Sequence, residues 1–195
     1  MFHLEVAPDL ELFLLTEAHC SPLFELIDQN RDYLRAWLPW VDGTQTLADV
    51  RRLIRFGLRQ HARGNGLNAG IWYQSHLVGV ISFNYVDHVR QQTEIGYWLS
   101  AAYQGNGIMT AACQAIVDYA FDRLGLQRVE IHCASVNQKS RAIPERLGFA
   151  VQRVTPEFAW TSNRFVETII YSMSATAWQE RKAIHECENR HRGQL

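Results

Sequence analysis

Two glycines at the entrance to a predicted helix, Gly105 and Gly107, are the residues whose spacing says most about chemistry. They follow a strand-like apolar run that ends near Leu99 and precede a long amphipathic segment. The first N–H groups of a helix have no acceptor within it, and the helix dipole makes that end positive, so it attracts anions. Because glycine tolerates unusual backbone angles and close approach, we expect residues 104–110 to bind the phosphates of a cofactor.

The residues around these glycines help to decide which class of phosphate ligand the loop binds. A Walker loop is excluded because no Lys-Ser/Thr pair follows the glycines. Gly105-x-Gly107-x-x-Thr110 departs from the dinucleotide fingerprint only at the third glycine, and Glu130 lies about 20 residues on, where a ribose-binding acid is expected. Against that fingerprint, the strand ends too early and the preceding chain does not alternate strand and helix. An ordinary glycine-rich turn is the other alternative.

The loop resembles motif A of the GNAT N-acetyltransferases, written Arg/Gln-x-x-Gly-x-Gly/Ala. Met109 in place of its last residue is a departure seen in the Rim-type branch, which acetylates the N-termini of ribosomal proteins. Other segments match this branch in the family's order, and the resemblance covers about residues 8–175. These segments are Tyr33-Leu34-Arg35-Ala36-Trp37-Leu38-Pro39-Trp40, Gly79-Val80-Ile81-Ser82-Phe83, Glu94-Ile95-Gly96-Tyr97-Trp98-Leu99, and Asn137-x-x-Ser140 followed by Leu147-Gly148-Phe149.

Hydrophobic periodicity predicts the elements that hold the loop. Strands are expected at 10–16, 68–74, 77–85, 92–99, 127–133, 149–155 and 164–174. Helices are expected at 17–30, 47–62, 108–124 and 138–147, with a charged helix at the C-terminus. A strand, a helix and a strand around the glycine loop indicate a parallel pair flanked by antiparallel strands. This is an α/β mixed sheet flanked by helices, and it agrees with the GNAT fold, mostly antiparallel with a splayed parallel pair, that the resemblance implies.

The sequence also predicts helix caps and the apolar face of one helix. Thr16 and Thr46 are predicted to cap the first two helices. The helix over 47–62 is expected to turn one apolar face to the core, made of Leu47, Val50, Leu53, Ile54 and Leu58.

The resemblance implies that the cofactor is acetyl-CoA. Its pantetheine is expected between strands 92–99 and 127–133, bonded to backbone groups of Tyr97, Trp98 and Leu99, where one N–H also polarises the thioester carbonyl. Gly96 indicates a bulge or a close backbone approach there, or a glycine that packs against a large neighbour. The pyrophosphate is expected at Gln104, Gly105, Asn106, Gly107, Ile108, Met109 and Thr110.

Asn137 and Ser140 follow the second of those strands. Asn137 is a helix cap that by resemblance also contacts the coenzyme, and capping alone is the alternative. Ser140 lies one turn later on the same side. By resemblance its hydroxyl contacts the coenzyme and donates a proton to the leaving thiolate.

Glu94, at the start of the splayed strand, is the candidate general base, acting directly or through a water. A surface or ion-paired glutamate is the alternative. In the Rim-type branch an acid also lies late in the chain, where this sequence has Ala159, with Glu157 as a neighbour. An α-amino group, whose reference pKa is about 7.7–8.0, needs less help than a lysine, which favours an N-terminal acceptor.

Trp37 and Trp40 are assigned to the acceptor cleft. These residues leave three functions open. The first is an N-acetyltransferase that acts on a protein N-terminus, of the ribosomal-protein type, by direct attack of the amine. The second is the same chemistry on a polyamine, amino acid or antibiotic, and the third is a non-catalytic acyl-CoA-binding module. A strongly acidic cleft would favour the small polycations.

Composition sets wider limits. The 195 residues, 47% apolar and 20% charged, fit one globular domain over 1–195, with a core over about 8–175 and a charged C-terminal helix or tail over 176–195. The net charge of −1 gives no basic field for nucleic acid, so we predict no direct nucleic-acid binding. A homodimer is compatible with the sequence.

No signal peptide or membrane-spanning run is visible, which predicts a cytoplasmic protein. The cysteines are scattered and predicted to be reduced, and no metal site is expected. His185-x-Cys187 with His191 is interpreted as a solvated helix end rather than a metal site.

Overall fold

The chain folds as one mixed sheet with helices on both faces. A computed structural model describes residues 2–156 and 166–192, with side chains as far as residue 184. The strands are β1 (His3–Ala7), β2 (Leu10–Leu14), β3 (Leu67–Tyr73), β4 (His76–Asp87), β5 (Gln92–Leu99), β6 (Arg128–Ala134), β7 (Ala150–Thr155) and β8 (Thr168–Ser174). The α-helices are α1 (Cys20–Gln29), α2 (Arg31–Leu34), α3 (Leu47–Ala62), α4 (Ile108–Asp118), α5 (Gln138–Arg146) and α6 (Ala175–Arg192).

The eight strands lie in the order β1-β2-β3-β4-β5-β6-β8-β7. Among these neighbours β5 and β6 alone run parallel, so the predicted mixed and mostly antiparallel sheet is confirmed. A parallel pair needs a crossover, which the glycine loop and α4 provide.

The parallel pair separates partway along its length. Residues 92–95 of β5 are in register with residues 128–131 of β6, whereas the two strands continue to Leu99 and Ala134. The predicted splayed pair is therefore present, and the ends of both strands leave a wedge-shaped opening in the sheet.

Helices cover the two faces of the sheet with separate apolar clusters. On one face, the buried side chains of α4 pack in the same cluster as Ile95 of β5 and as Ile131 and Cys133 of β6. On the other face, α1 and α3 bury Leu23, Ile54 and their neighbours together with Trp98 of β5. Alternate residues of β5 and β6 thus point to different surroundings, which decides where each site residue lies.

Several sequence predictions about these elements are confirmed. Thr46 caps α3 as predicted, accepting a hydrogen bond from the Asp49 N–H (3.3 Å), and Thr16 forms a capping box at the short 3₁₀ turn Glu17–His19 that leads into α1. The strands predicted at 68–74 and 77–85 are present as β3 and β4, which pair antiparallel across a turn at Gln74 and Ser75.

Other predictions about the elements are wrong. The first strand is β1 rather than β2; β1 is a short edge strand of five residues, each exposed or half-buried, so its apolar signal is weak. Leu47 and Leu53 of α3 do not face the core, being 44% and 38% exposed, since α3 lies with Val50 and Ile54 against the sheet. The helix predicted over 108–124, by contrast, is present, as α4 followed directly by a π-helical turn over Tyr119–Arg123.

The predicted late acid falls outside the described residues. Glu157 and Ala159 lie between residues 156 and 166, and the side chains of His185, Cys187 and His191 are likewise outside the described part of the chain. Within that part, no helix is both long and apolar enough to cross a membrane.

Candidate active site

The opening between β5 and β6 leads into a cleft of about 1360 Å³. Its walls come from the two splayed strands, the glycine loop, the N-terminal end of α4, α5 and the α2 segment. Most sequence-predicted site residues line it: Trp37, Glu94, Tyr97, Trp98, Leu99, Gln104, Gly105, Gly107, Ile108, Met109, Thr110, Asn137 and Ser140. Residues far apart in the sequence are thus brought to one cavity.

The glycine loop has the backbone that the sequence predicts for an anion cradle. Gly105 and Gly107 have φ angles of +83° and +76°, in the region that side chains disfavour. A Cβ placed on either glycine meets nothing within 4 Å, so the space above the loop is open. The first bond within α4 runs from the Ala111 N–H to the Gly107 carbonyl (3.0 Å), which leaves the preceding amides without a helical acceptor.

Two basic side chains from α5 stand beside this loop. The Lys139 ammonium donates to Oε1 of Gln104 (2.9 Å), and the Arg146 guanidinium donates to the hydroxyl of Thr110 (3.4 Å). Gln104 in turn donates to the Leu99 carbonyl (3.4 Å), so it fixes the turn. Cations and unpaired amides around an open cradle fit a pyrophosphate group well.

Two of the predicted site residues lie outside the cleft walls. Asn106 turns its amide back onto the carbonyls of Tyr103 and Gln104 (3.3 and 3.4 Å). Trp40 lies in a 3₁₀ turn that starts at Pro39, and its side chain is 37% exposed away from the cleft. Contacts of Asn106 with the coenzyme and of Trp40 with the acceptor therefore stay predictions, because neither residue lines the cleft.

Asn137 caps α5 as predicted, since its side chain accepts from the Ser140 N–H (3.1 Å). This bond fixes the first turn of α5 over the end of β6. Ser140 is thereby held on the face of the sheet that α4 covers.

Ser140 belongs to a group of three polar atoms deep in the cleft. Its hydroxyl lies 3.2 Å from Sγ of Cys133 and 3.5 Å from the hydroxyl of Tyr97, which donates to the Ser140 carbonyl (2.9 Å). Burial raises the pKa of Tyr97 well above its ordinary value and also raises the pKa of the Cys133 thiol. Both groups therefore keep their protons at neutral pH, and the two hydroxyls are proton donors.

Glu94 lies on the opposite face of β5 from Tyr97. Its Oε1 accepts a hydrogen bond from the side-chain amide of Asn84 (2.6 Å), and its Oε2 is 3.4 Å from Nδ1 of His132. Glu94 and His132 both line the cleft. The opening between the strands therefore connects proton donors on one face of the sheet to a carboxylate on the other.

Gly96 makes room for the residue that holds Glu94. A Cβ at this position would lie 2.8 Å from Oδ1 of Asn84. The irregularity in the β4–β5 ladder occurs between Phe83 and Tyr85 of β4 rather than at Gly96 itself. The interpretation of Gly96 as a glycine that packs against a large neighbour is therefore favoured over a bulge.

Sequence reasoning missed several side chains of this site, among them the Tyr97 hydroxyl, the Cys133 thiol, His132, Lys139 and Arg146. For those on strands, the alternation of side chains was the available signal. Tyr97 is two residues from Ile95 and thus on the α4 face, and Cys133 is two residues from Ile131 on the same face. His132, between Ile131 and Cys133, had to point to the face of Glu94.

The chain was compared with known proteins. The model of the acetyltransferase (GNAT) domain family matches residues 9–150. Over 183 residues the chain is 36% identical to YdaF of Bacillus subtilis (strain 168), covering 93% of this chain and 100% of YdaF. It is 30% identical over 169 residues to the ribosomal-protein-serine acetyltransferase of Escherichia coli (strain K12), covering 87% of this chain and 94% of the relative.

A solved structure has the same architecture. It is RimL, a ribosomal L7/L12 alpha-N-protein acetyltransferase in complex with coenzyme A, with a TM-score of 0.86 and 27% sequence identity. The match covers 90% of this chain and 99% of RimL.

Proposed function

Because the chain belongs to the GNAT acetyltransferase family, we propose that it transfers the acetyl group of acetyl-CoA to the N-terminal amine of a protein, by direct attack of that amine. The observation that carries this proposal is the cleft, which joins an anion cradle to the Glu94 carboxylate through the opening between β5 and β6. We further propose that the acceptor is a ribosomal protein, as the names of two full-length relatives state for those proteins.

Acetyl-CoA supplies an acetyl thioester, and the residues of the chain divide the remaining tasks. The amides of residues 107–110, with Lys139 and Arg146, hold the pyrophosphate. Backbone groups of β5 beyond Ile95 have no partner in β6 at this point and are free to bond the pantetheine amides. An N–H there polarises the thioester carbonyl, as donors of an oxyanion hole do.

Proton transfer falls to the two sides of the opening. Glu94 accepts the proton that the acceptor amine must lose before it attacks. Ser140 donates a proton to the leaving thiolate and regains one from the nitrogen as the amide forms. Tyr97 holds Ser140 in place through its carbonyl (2.9 Å). Neither role requires the late acid of the Rim-type branch.

Charge favours a single amine over a polyamine as the acceptor. Among the cleft-lining residues that the structure describes, Glu94 has the one carboxylate, whereas Lys139 and Arg146 contribute cations. A polyamine or aminoglycoside has several positive charges and needs several carboxylates. A protein N-terminus has one amine to place next to Glu94.

Turnover of acetyl-CoA, read as free thiol release, tests the acceptor. We use a peptide that starts with serine and contains one internal lysine, and we expect thiol release with it. The same peptide with a formyl group on its N-terminus, where the lysine is the remaining amine, should give much less release. Acetylation of ribosomal proteins from the host, located by mass spectrometry, would then identify the acceptor. Release with spermidine at the peptide's rate, or with the blocked peptide, would contradict an N-terminal acceptor.

A ribosomal acceptor implies a place of action in the cytoplasm. That location stays a prediction, as does the assignment of the whole chain to a single domain.

A further inference from the structure

His132 lies between two glutamates on the face of the sheet opposite α4. Its Nε2 is 3.1 Å from Oε2 of Glu130, and its Nδ1 is 3.4 Å from Oε2 of Glu94. Glu94 and Glu130 are directly opposite in the parallel register of β5 and β6. His132 and Glu94 line the cleft, whereas Glu130 lies behind them with its side chain 12% exposed.

The three groups must share protons. A neutral imidazole has one N–H and one bare nitrogen, and an ionised carboxylate can only accept. Each of the two contacts therefore needs its own proton, either on the ring or on a carboxyl group. If the three groups together carry one proton, His132 makes a hydrogen bond to one glutamate. Its other ring nitrogen then has no proton and faces the carboxylate of the other glutamate. A second proton, arriving at Glu94, satisfies both contacts.

The groups that surround Glu94, His132 and Glu130 favour movement of such a proton from Glu94 towards Glu130. On the β4 side, Asn84 holds the other oxygen of Glu94 (2.6 Å), and Tyr85 is in register with it. On β6, Arg128 is 4.0 Å from Oε1 of Glu130 and half-exposed. Along Thr168–Ser174, β8 presents no ionisable side chain on this face and sets Ile170 opposite His132.

The other side of Glu130 reaches β7 at the edge of the sheet. In the orientation that satisfies its amide, Gln152 donates to Oε1 of Glu130 (3.1 Å) and accepts from Arg128 (2.9 Å). Gln152 is exposed, as is its neighbour Arg153. The chain of contacts thus begins at the cleft and ends next to groups that touch water.

We propose that His132 is a positioning residue of the transfer reaction, which passes to Glu130 the proton that Glu94 takes from the acceptor amine. This inference rests on the proposed function. The reaction converts an ammonium group and a thioester into an amide, a thiol and one free proton. The proton leaves nitrogen for Oε2 of Glu94, Glu94 gives a proton to Nδ1 of His132, and Nε2 gives a proton to Glu130, which loses it to water.

His132→Gln tests the relay, because glutamine keeps polar contacts but cannot carry a proton. With a serine-first peptide we expect kcat to fall about tenfold or more at neutral pH, a modest share of what a general base contributes. The KM for acetyl-CoA should stay unchanged. The defect should shrink as the pH is raised to about 9, because an α-amine with a reference pKa of about 7.7–8.0 has by then lost its proton. Glu130→Gln should act in the same direction.

His76→Gln is the matched control, since His76 lies in the β3–β4 hairpin and contacts the Gln74 carbonyl (2.8 Å). An equal rise of the melting temperature with acetyl-CoA in each variant shows that folding and the coenzyme site are intact. A His132→Gln enzyme with the wild-type rate from pH 6 to 9, or one slowed equally at every pH, overturns the relay alone. A wild-type enzyme that acetylates no amine overturns the proposed function instead.

Discussion

At the scale of single residues, the assignment of the acid depends on which hydroxyl is free to donate. The Tyr97 hydroxyl already donates to the Ser140 carbonyl (2.9 Å), whereas among the described residues the Ser140 hydroxyl has the Cys133 sulfur (3.2 Å) and the Tyr97 oxygen (3.5 Å) as its polar neighbours. Ser140 can therefore turn its proton towards a thiolate without breaking a strong bond. Tyr97 loses a bond between β5 and α5 if it does the same.

Ser140→Ala should lower kcat about 100-fold, the low end for a general acid, and change the dissociation constant of acetyl-CoA by only about two- to threefold. The measurement is steady-state thiol release together with calorimetric binding of acetyl-CoA. Ser21→Ala is the control, because its exposed hydroxyl contacts Glu25 at a distance from the cleft. Equal losses of kcat and of coenzyme affinity would assign Ser140 to binding rather than to proton transfer.

The limits of sequence-based prediction at this scale concern side-chain direction. Asn137 and Ser140 were predictable because a cap and a residue one turn later have fixed relative positions. Tyr97 was predicted only for its backbone, since its hydroxyl reaches α5, a helix that starts some forty residues later in the chain. Contacts between elements distant in sequence carry no local signal.

At the scale of elements, the loop and α4 form a cradle whose geometry depends on glycine. Gly107 is the N-cap of α4 with φ +76°, and nothing lies within 4 Å of a Cβ at this position. Gly125, which follows the π turn at the other end of the helix, has φ +65° and equally open space. Both glycines have a left-handed backbone that a side chain would strain, but of the two only Gly107 lines the cleft.

Gly107→Ala and Gly125→Ala should each reduce the free energy of unfolding by about 1–2 kcal/mol, since both force alanine into the left-handed region. Only Gly107→Ala should weaken acetyl-CoA binding, because its methyl group enters the space above the amides. Urea denaturation and calorimetry measure the two effects separately. Unchanged coenzyme affinity in Gly107→Ala, with Gly125→Ala as reference, would remove the pyrophosphate from this loop.

The C-terminal helix is an element whose role composition did not indicate. The sequence predicts a charged helix or tail, yet Trp178 of α6 is 2% exposed and packs against Phe121 and Phe149. Its indole N–H donates to Asp118 (2.8 Å) at the end of α4. One aromatic residue among charged neighbours gives no apolar stripe, so periodicity did not reveal this contact.

Trp178→Ala should lower the free energy of unfolding by about 3–5 kcal/mol, the usual cost of removing a large buried aromatic. Ile184→Ala, an exposed position on the same helix, should change it by less than about 0.5 kcal/mol. Urea denaturation compares the two variants. Equal stabilities would mean that α6 is not part of the cooperative fold.

At the scale of the whole molecule, the order of the elements was more predictable than the packing of their faces. The parallel pair followed from one strand–helix–strand pattern, and the site follows from its divergence after Ile95 and Ile131. The face that α3 turns to the core depends on the surface beneath it, and with Val50 and Ile54 buried there, Leu47 and Leu53 point outward. A homodimer and the lack of nucleic-acid binding stay predictions from the sequence.

The divergence also makes the coenzyme a stabiliser of the whole fold. Four register pairs, residues 92–95 with 128–131, join the two halves of the sheet, and beyond them the strands face the cleft instead of one another. A ligand that bonds both walls and binds only the folded chain should stabilise it by about 2.7 kcal/mol at 100 times its dissociation constant. The whole molecule should respond, because the cores on both faces of the sheet include residues of β5.

Thermal unfolding with and without acetyl-CoA measures this coupling. Wild type and Gly125→Ala should gain the same free energy of unfolding at saturating coenzyme, and Gly107→Ala should gain much less at that concentration. Amide hydrogen exchange should slow at the open ends of β5 and β6, since the backbone groups that face the opening become bonded only when the coenzyme is bound. A coenzyme that protects α4 but leaves these strand ends unchanged would bind at the loop without joining the two halves, and the pantetheine would then lie outside the opening between them.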